Sequence, residues 1–170
     1  MFFNRSVNEL AALTFLEIVM LIHGSIASIT LMAATFLIGV LMFAKELSSE
    51  DVSKLKWISA GTAFLVYAMD FLGGLGYIPY RVRDPTSARS IILATSPWAH
   101  EVAFESMEYA GLFGPLIATA ITYIVWHYGA DIVKEPAVKR TLMIMLVIGI
   151  LWGLALLGAG VIPTRVASVK

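Results

Sequence analysis

The sequence predicts an all-α integral membrane protein with four transmembrane helices in an up-down-up-down bundle. Of its 170 residues, 59% are hydrophobic and 14% are charged, and the mean hydropathy is +0.83. Soluble domains are about half apolar and about a quarter charged. Four apolar runs reach the roughly 20 residues that a helix needs to cross a bilayer. The connections between them are short and charged, which favours antiparallel neighbours.

The four predicted helices belong to a single domain that covers residues 1–170. They span about residues 10–44, 57–80, 97–128 and 141–163. The face that receives the N-terminus, the second connection and the C-terminus is named side A, and the opposite face is side B. Lysine and arginine divide evenly between the two faces, so the positive-inside rule gives no orientation.

Composition excludes several classes of function. The chain has no cysteine, which excludes disulfides, thiolate metal sites and iron–sulfur clusters. Its net charge is zero and it has no basic block, so we expect no nucleic-acid partner. The N-terminus lacks the layout of a signal peptide, so we expect the first apolar run to be retained.

Three acidic residues interrupt the apolar runs: Asp70, Glu105 and Glu108. Ionisable groups inside a membrane helix are expensive and by default mark a functional site. Because the sequence offers no buried lysine or arginine beside them, we expect these acids to take up protons or to bind histidine or a metal. Two further acids lie near helix ends and have simpler interpretations. Glu17 is an interfacial charge, and Glu101 compensates the dipole of the third helix.

Two histidines each share a helix face with small residues. At 100° per residue, His23 lies above Ala27, Thr30 and Ala34, and His100 lies above Met107 and two glycines. Such faces leave room for a flat macrocycle, which predicts a haem b between helices 1 and 3 with histidine ligands. Small residues serve close helix packing equally well. The third histidine, His127, lies between Trp126 and Tyr128 and is typical of an interfacial aromatic belt.

Depth along the helices leaves the second ligand open. With a rise of about 1.5 Å per residue, His23 is level with Glu105 and Met107, whereas His100 is about two turns nearer side A. The predicted cofactor-binding residues are therefore His23, His100 and Met107.

We therefore expect a membrane electron-transfer protein similar to a b-type cytochrome, with Asp70, Glu105 and Glu108 as catalytic, proton-accepting groups. If it is an enzyme, it is an oxidoreductase or the electron-transfer subunit of a respiratory complex. Expected partners are the lipid bilayer, a quinone and other membrane redox subunits, in an oligomer or complex of the cell membrane.

Three alternatives stay open. The first is a non-haem site that holds iron or another divalent metal, with ligands among His23, His100, Glu105 and Glu108. The second is a proton- or cation-coupled carrier, and the third is a non-catalytic subunit of a larger membrane complex.

Overall fold

The computed structural model describes residues 15–166, except for the side chains of residues 15, 16, 163, 164 and 166. Every regular element in that range is helical. Four stretches within it are long and apolar enough to cross a membrane: Glu17–Phe43, Ser49–Tyr80, Ala99–Val133 and Pro136–Ile162. The predicted all-α membrane class with four spans is therefore confirmed. The alternating direction of the spans across a bilayer stays a prediction, and the expected helix start near residue 10 lies outside the described residues.

The described range contains six α-helices and two short helices of other types. The α-helices are α1 (Phe15–Phe43), α2 (Ser49–Tyr80), α3 (Ala88–Thr95), α4 (Glu105–Gly111), α5 (Phe113–Tyr128) and α6 (Pro136–Val166). A π-helix, Ala99–Phe104, precedes α4, and a 3-10 helix, Gly129–Val133, follows α5. The third span consists of the π-helix, α4, α5 and the 3-10 helix. Large apolar side chains such as those of Met32 and Phe64 lie exposed on the spans, which is compatible with contact with lipid.

The second span begins earlier than its hydropathy predicts, at Ser49 rather than Trp57. The Oγ of Ser48 accepts a hydrogen bond from the N–H of Asp51 at 3.1 Å, and a carboxylate oxygen of Asp51 accepts one from the N–H of Ser48 at 3.1 Å. This capping box satisfies backbone donors that a helix start otherwise leaves without partners. Residues 49–56 of the charged segment that was expected as a connection therefore form the first two turns of α2.

Helix α3 lies where the sequence predicted only a connection. Its N-terminus is capped by Ser87, whose Oγ accepts a hydrogen bond from the N–H of Ser90 at 3.2 Å. Its Ile92 is fully buried and packs with Tyr80 and Ala99. Helix α3 therefore closes the side A end of the bundle over the start of the third span.

The third span, expected as one kinked helix, is interrupted at Leu112 between α4 and α5. Pro115 has no N–H, so the carbonyl of Gly111 loses its usual partner one turn before it. Beside this break, the indole N–H of Trp152 in α6 donates to the carbonyl oxygen of Ala110 at 3.1 Å. A side chain of the neighbouring helix thus satisfies part of the interrupted backbone.

Glycines let α6 approach its neighbours closely. A Cβ at Gly153 would lie 3.2 Å from the side chain of Leu31, and one at Gly160 would lie 3.1 Å from the sulfur of Met107. Both distances are tighter than ordinary van der Waals contact. These positions therefore suit glycine, as the small-residue pattern of the helix indicates.

The spans form a ring in which α1 packs mainly against α2 and α6, and α5 packs against the same two helices. The first and third spans therefore lie across the bundle from each other. The main apolar core lies at the side B end, where large aliphatic side chains of all four spans meet: Leu37, Leu41, Leu55, Ile121, Val125, Ile132, Leu142 and Leu146. No comparable cluster of described residues fills the bundle at the level of His23.

Candidate functional site

The most deeply buried ionisable side chain of the described residues is His100, which is 1% exposed and lies in the π-helix. Its Nδ1 lies 2.8 Å from the hydroxyl of Tyr80, and its Nε2 lies 3.2 Å from the Nε of Arg89. The Nε–H of arginine can only donate, so Nε2 accepts and the proton of the neutral imidazole is on Nδ1. Nδ1–H therefore donates to Tyr80, and both ring nitrogens have protein partners.

Arg81 pairs with the two acids of α4, one of which, Glu105, also lies near His100. Its guanidinium lies 3.2 Å from a carboxylate oxygen of Glu108 and 3.8 Å from one of Glu105. The same oxygen of Glu105 lies 3.7 Å from Nε2 of His100. The expectation that these acids lack a matching basic side chain is wrong, because Arg81 at the end of α2 reaches back to them. The six residues of this network are named the His100 cluster: Tyr80, Arg81, Arg89, His100, Glu105 and Glu108.

Aromatic rings support the His100 cluster from α2. Phe104 stacks against both Tyr77 and Tyr80, with centroid distances of 5.9 and 4.2 Å, and the two tyrosine rings are 6.3 Å apart. The guanidinium of Arg81 lies over the ring of Tyr77, 4.7 Å from its centroid, within the range of a cation–π interaction. The stack fixes where Tyr80 and Arg81 present their polar groups.

His23 lies in α1 and packs against α2. Its Nδ1 lies 3.0 Å from the carbonyl oxygen of Met69. A carbonyl only accepts, so Nδ1 carries the proton and Nε2 holds the lone pair. A Cβ at Gly73 would lie 3.3 Å from the ring carbon Cε1 of His23, so glycine is needed for this approach. Asp70 follows Met69 in α2 and so lies next in the chain to the carbonyl that binds His23.

One polar atom on the small-residue face below His23 lacks a partner. The Oγ1 of Thr30 is buried and makes no hydrogen bond to any of the described residues. Buried hydroxyl groups normally have a partner, so each exception needs an explanation. This orphaned oxygen lies two turns below His23 on α1, in the part of the bundle that lacks a large apolar core.

The contacts place the predicted residues in two groups. Asp70 follows Met69, the residue whose carbonyl binds His23, while Glu105 lies near both His100 and Arg81 and Glu108 pairs with Arg81. Met107 packs against Gly160 of α6. Within residues 15–166, no three or more histidine, aspartate and glutamate side chains are arranged to hold a metal ion. The predicted metal ligands His23, His100, Glu105 and Glu108 are therefore not drawn into one such group in this structure.

Three members of the site are not predicted from the sequence: Tyr80, Arg81 and Arg89. Arg81 and Arg89 counted only as cations of a side A connection, and Tyr80 counted only as the end of an apolar run. A signal for Arg89 exists in hindsight, because Ser87 followed by an apolar segment is typical of a capped helix. The orphaned hydroxyl of Thr30 has no signal in the sequence.

Of the other charged and aromatic residues, Glu101 is exposed near the start of the third span. The ring of His127 stacks on that of Tyr123, with centroids 5.6 Å apart, and meets the ring of Tyr128 edge-on at 4.9 Å.

Comparison with protein-family models, with curated proteins and with solved structures finds no match to the chain.

Proposed function

We propose that this protein is a membrane electron-transfer protein of the b-type cytochrome kind, with a haem b between the first and third spans and His23 as one axial ligand. The observation that carries the proposal is the hydrogen bond from Nδ1 of His23 to the carbonyl of Met69 at 3.0 Å. Histidines that bind a metal usually donate their other ring nitrogen to a carbonyl or carboxylate, which fixes the tautomer and the orientation of the ring. Nε2 of His23 is thus the free ligand atom.

The surroundings of His23 fit a flat cofactor. The α1 face below it carries Ala27, Thr30 and Ala34, and the buried aliphatic core of the described residues lies further toward side B. The unpartnered Oγ1 of Thr30 faces no protein acceptor or donor among the described residues. A bundle interior with small side chains and an orphaned hydroxyl is the kind of place where a bound group completes the packing and the hydrogen bonding.

The haem would supply a reversible one-electron change at its iron, and the residues of the chain would hold and tune it. His23 would bind through Nε2, with Met69 orienting its ring. The third span would provide the other axial ligand, from His100 or Met107. Arg81 and Arg89 at side A are the cations available to the carboxylates of a haem, because arginine pairs well with planar carboxylates.

Asp70 beside His23, and Glu105 and Glu108 beside Arg81, are the proposed proton-accepting groups. Uptake of a proton close to the cofactor would offset the added charge of an electron inside a medium of low dielectric constant. A quinol in the lipid, or another redox subunit of a complex in the cell membrane, is the proposed electron partner.

The non-haem metal hypothesis is favoured less by the geometry. His23 contacts Gly73 of α2, whereas His100 contacts Tyr80, two turns nearer side A. A single metal ion needs its ligands within about 2 Å. The His100 cluster instead favours a second candidate function, proton or cation transfer, because it links a buried histidine to two carboxylates.

An absorption spectrum of the detergent-purified protein tests the proposal. The full chain, produced in haem-replete cells, is expected to show a Soret band that shifts when dithionite is added. His23→Gly is expected to lose this band, and added imidazole is expected to restore it, because imidazole can occupy the space of the missing ring. His127→Gly, which removes a histidine from the aromatic belt, is the matched control and is expected to retain the band. A colourless wild-type protein would overturn the proposal.

A further inference from the structure

We infer that Met107, rather than His100, supplies the second axial ligand of the haem. The inference rests on the proposed haem protein with His23 as the first ligand. It follows from the depth at which each residue lies in the bundle, from the partners that each side chain already has, and from the chemistry of a thioether sulfur.

Contacts through α2 put Met107 at the level of His23. His23 lies against Gly73. Contacts between α2 and the third span run in opposite residue order, and two pairs fix the register: Tyr80 with His100, and Val66 with Gly114. Gly73 lies midway between Val66 and Tyr80 on α2, seven residues from each. Met107 lies midway between His100 and Gly114 on the third span, also seven residues from each. Gly73, and therefore His23, lies at the same depth in the bundle as Met107.

Contacts through α6 give the same level independently. Leu31 of α1 meets Gly153 of α6, and these two helices also run in opposite residue order. Moving eight residues toward side A on both helices leads from Leu31 to His23 and from Gly153 to Val161. Met107 touches Gly160, the residue next to it. The two routes around the ring agree to within one residue, which is about 1.5 Å along a helix.

His100 lies seven residues from Met107 toward side A, or about 10 Å along a helix. Its Nδ1 is bonded to Tyr80 and its Nε2 to Arg89, both at hydrogen-bond distance. Binding iron through Nε2 would break the Arg89 contact and leave a guanidinium N–H without its acceptor. Breaking a part-buried hydrogen bond to a charged group costs stability.

Met107 has no such obstacle. Its sulfur packs against Gly160 and makes no hydrogen bond to the described residues. A thioether is at most a weak acceptor, so it gives up little when it binds a metal. Methionine opposite histidine is an established ligand pair for haem iron and raises the reduction potential. The inference therefore also predicts a higher reduction potential than that of a bis-histidine haem.

Spectroscopy of the full-length haem-loaded protein separates the two ligands. The oxidised wild-type protein is expected to show the weak far-red band of a methionine-ligated ferric haem. Met107→Leu is expected to lose this band and to lower the reduction potential, while the Soret band is retained through His23. Met107→His is expected to keep a six-coordinate, low-spin haem but to lose the far-red band. The His variant keeps the test informative if the Leu variant does not fold.

His100→Gln tests the rival ligand directly, because glutamine can still donate to Tyr80 and accept from Arg89. If Met107 is the ligand, the far-red band is retained in this variant. A Soret band in the wild type without the far-red band would overturn Met107 as the ligand and leave the haem proposal standing. The assignment of Met107 as the ligand would also be overturned if the haem becomes high-spin in His100→Gln and does not become high-spin in Met107→Leu. A wild-type protein with no Soret band would overturn both the ligand and the haem.

Discussion

The hydrogen bond between Tyr80 and His100 makes a large contribution to stability for a single hydroxyl group. His100 is 1% exposed and Tyr80 is 2% exposed, so water has no access to replace either partner. Arg89 fixes Nε2 as the acceptor, so Nδ1–H has no alternative tautomer with which to avoid the loss. Tyr80→Phe therefore removes one hydrogen bond and leaves a buried donor without a partner.

Such a change is expected to lower the free energy of unfolding by about 1–3 kcal/mol. The ratio of folded to unfolded protein falls by about 5- to 150-fold for that range. Equilibrium unfolding in mixed micelles, followed by circular dichroism as the fraction of denaturing detergent rises, measures the difference. Tyr109→Phe is the matched control, because Tyr109 is 67% exposed and its hydroxyl bonds to none of the described residues. Equal unfolding midpoints for the two variants would refute the assignment of the proton to Nδ1 and the importance of this bond.

Three further predictions concern positions outside the His100 cluster. Ser48→Ala is expected to destabilise α2 by about 1 kcal/mol, because the helix loses its N-terminal cap. The same unfolding assay measures this loss, and an unchanged midpoint would contradict the capping box. Gly153→Val is expected to destabilise the bundle, because a Cβ there already lies 3.2 Å from a side chain of α1. Gly158→Val, where nothing lies within 4 Å of the added Cβ, is its control, and equal losses would contradict close packing at Gly153. Hydrogen bonds from the hydroxyl and then the N–H of Thr86 lower the pKa of Asp84 below its ordinary value of 3.8. The contribution of Asp84 to stability is therefore complete above its ordinary pKa and is lost as pH falls through its lower folded-state pKa. An NMR titration of the carboxyl carbon of Asp84 measures that folded-state pKa. Thr86→Val, which removes the hydroxyl donor, is expected to raise the pKa of Asp84.

Hydropathy and length were sufficient to find the four spans, because a bilayer selects long apolar helices whatever their neighbours are. The helical rise placed Met107 level with His23, and the contact register gives the same level, because depth along a span depends mainly on local geometry. Where the spans end was harder to predict. The first two turns of α2 are held by the Ser48 capping box rather than by hydrophobicity, so a hydropathy profile does not detect them.

The composition of the His100 cluster was beyond sequence analysis for a different reason. Arg81 and Arg89 belong to a connection by their position in the chain. The fold of α3 over the third span brings Arg89 to His100, and Arg81 reaches Glu105 and Glu108 from the end of α2. An arginine near a membrane surface has a flexible side chain that reaches several ångströms in any direction, so its partner depends on tertiary structure. Sequence reasoning could identify the acids and histidines but not the cations that pair with them.

The uneven distribution of the aliphatic core also determines how the molecule opens. Large aliphatic side chains of all four spans pack together at side B. The apolar cluster at side A is smaller, centres on Tyr80, Ala88, Ile92 and Ala99, and lies beside polar contacts and the interrupted third span. Elements with few buried apolar contacts open locally at a small fraction of the global unfolding free energy. Amide hydrogens of the third span should therefore exchange faster before Leu112 than after it. The side B half is therefore expected to be the more rigid, and the half that carries His23 and Met107 is expected to open first.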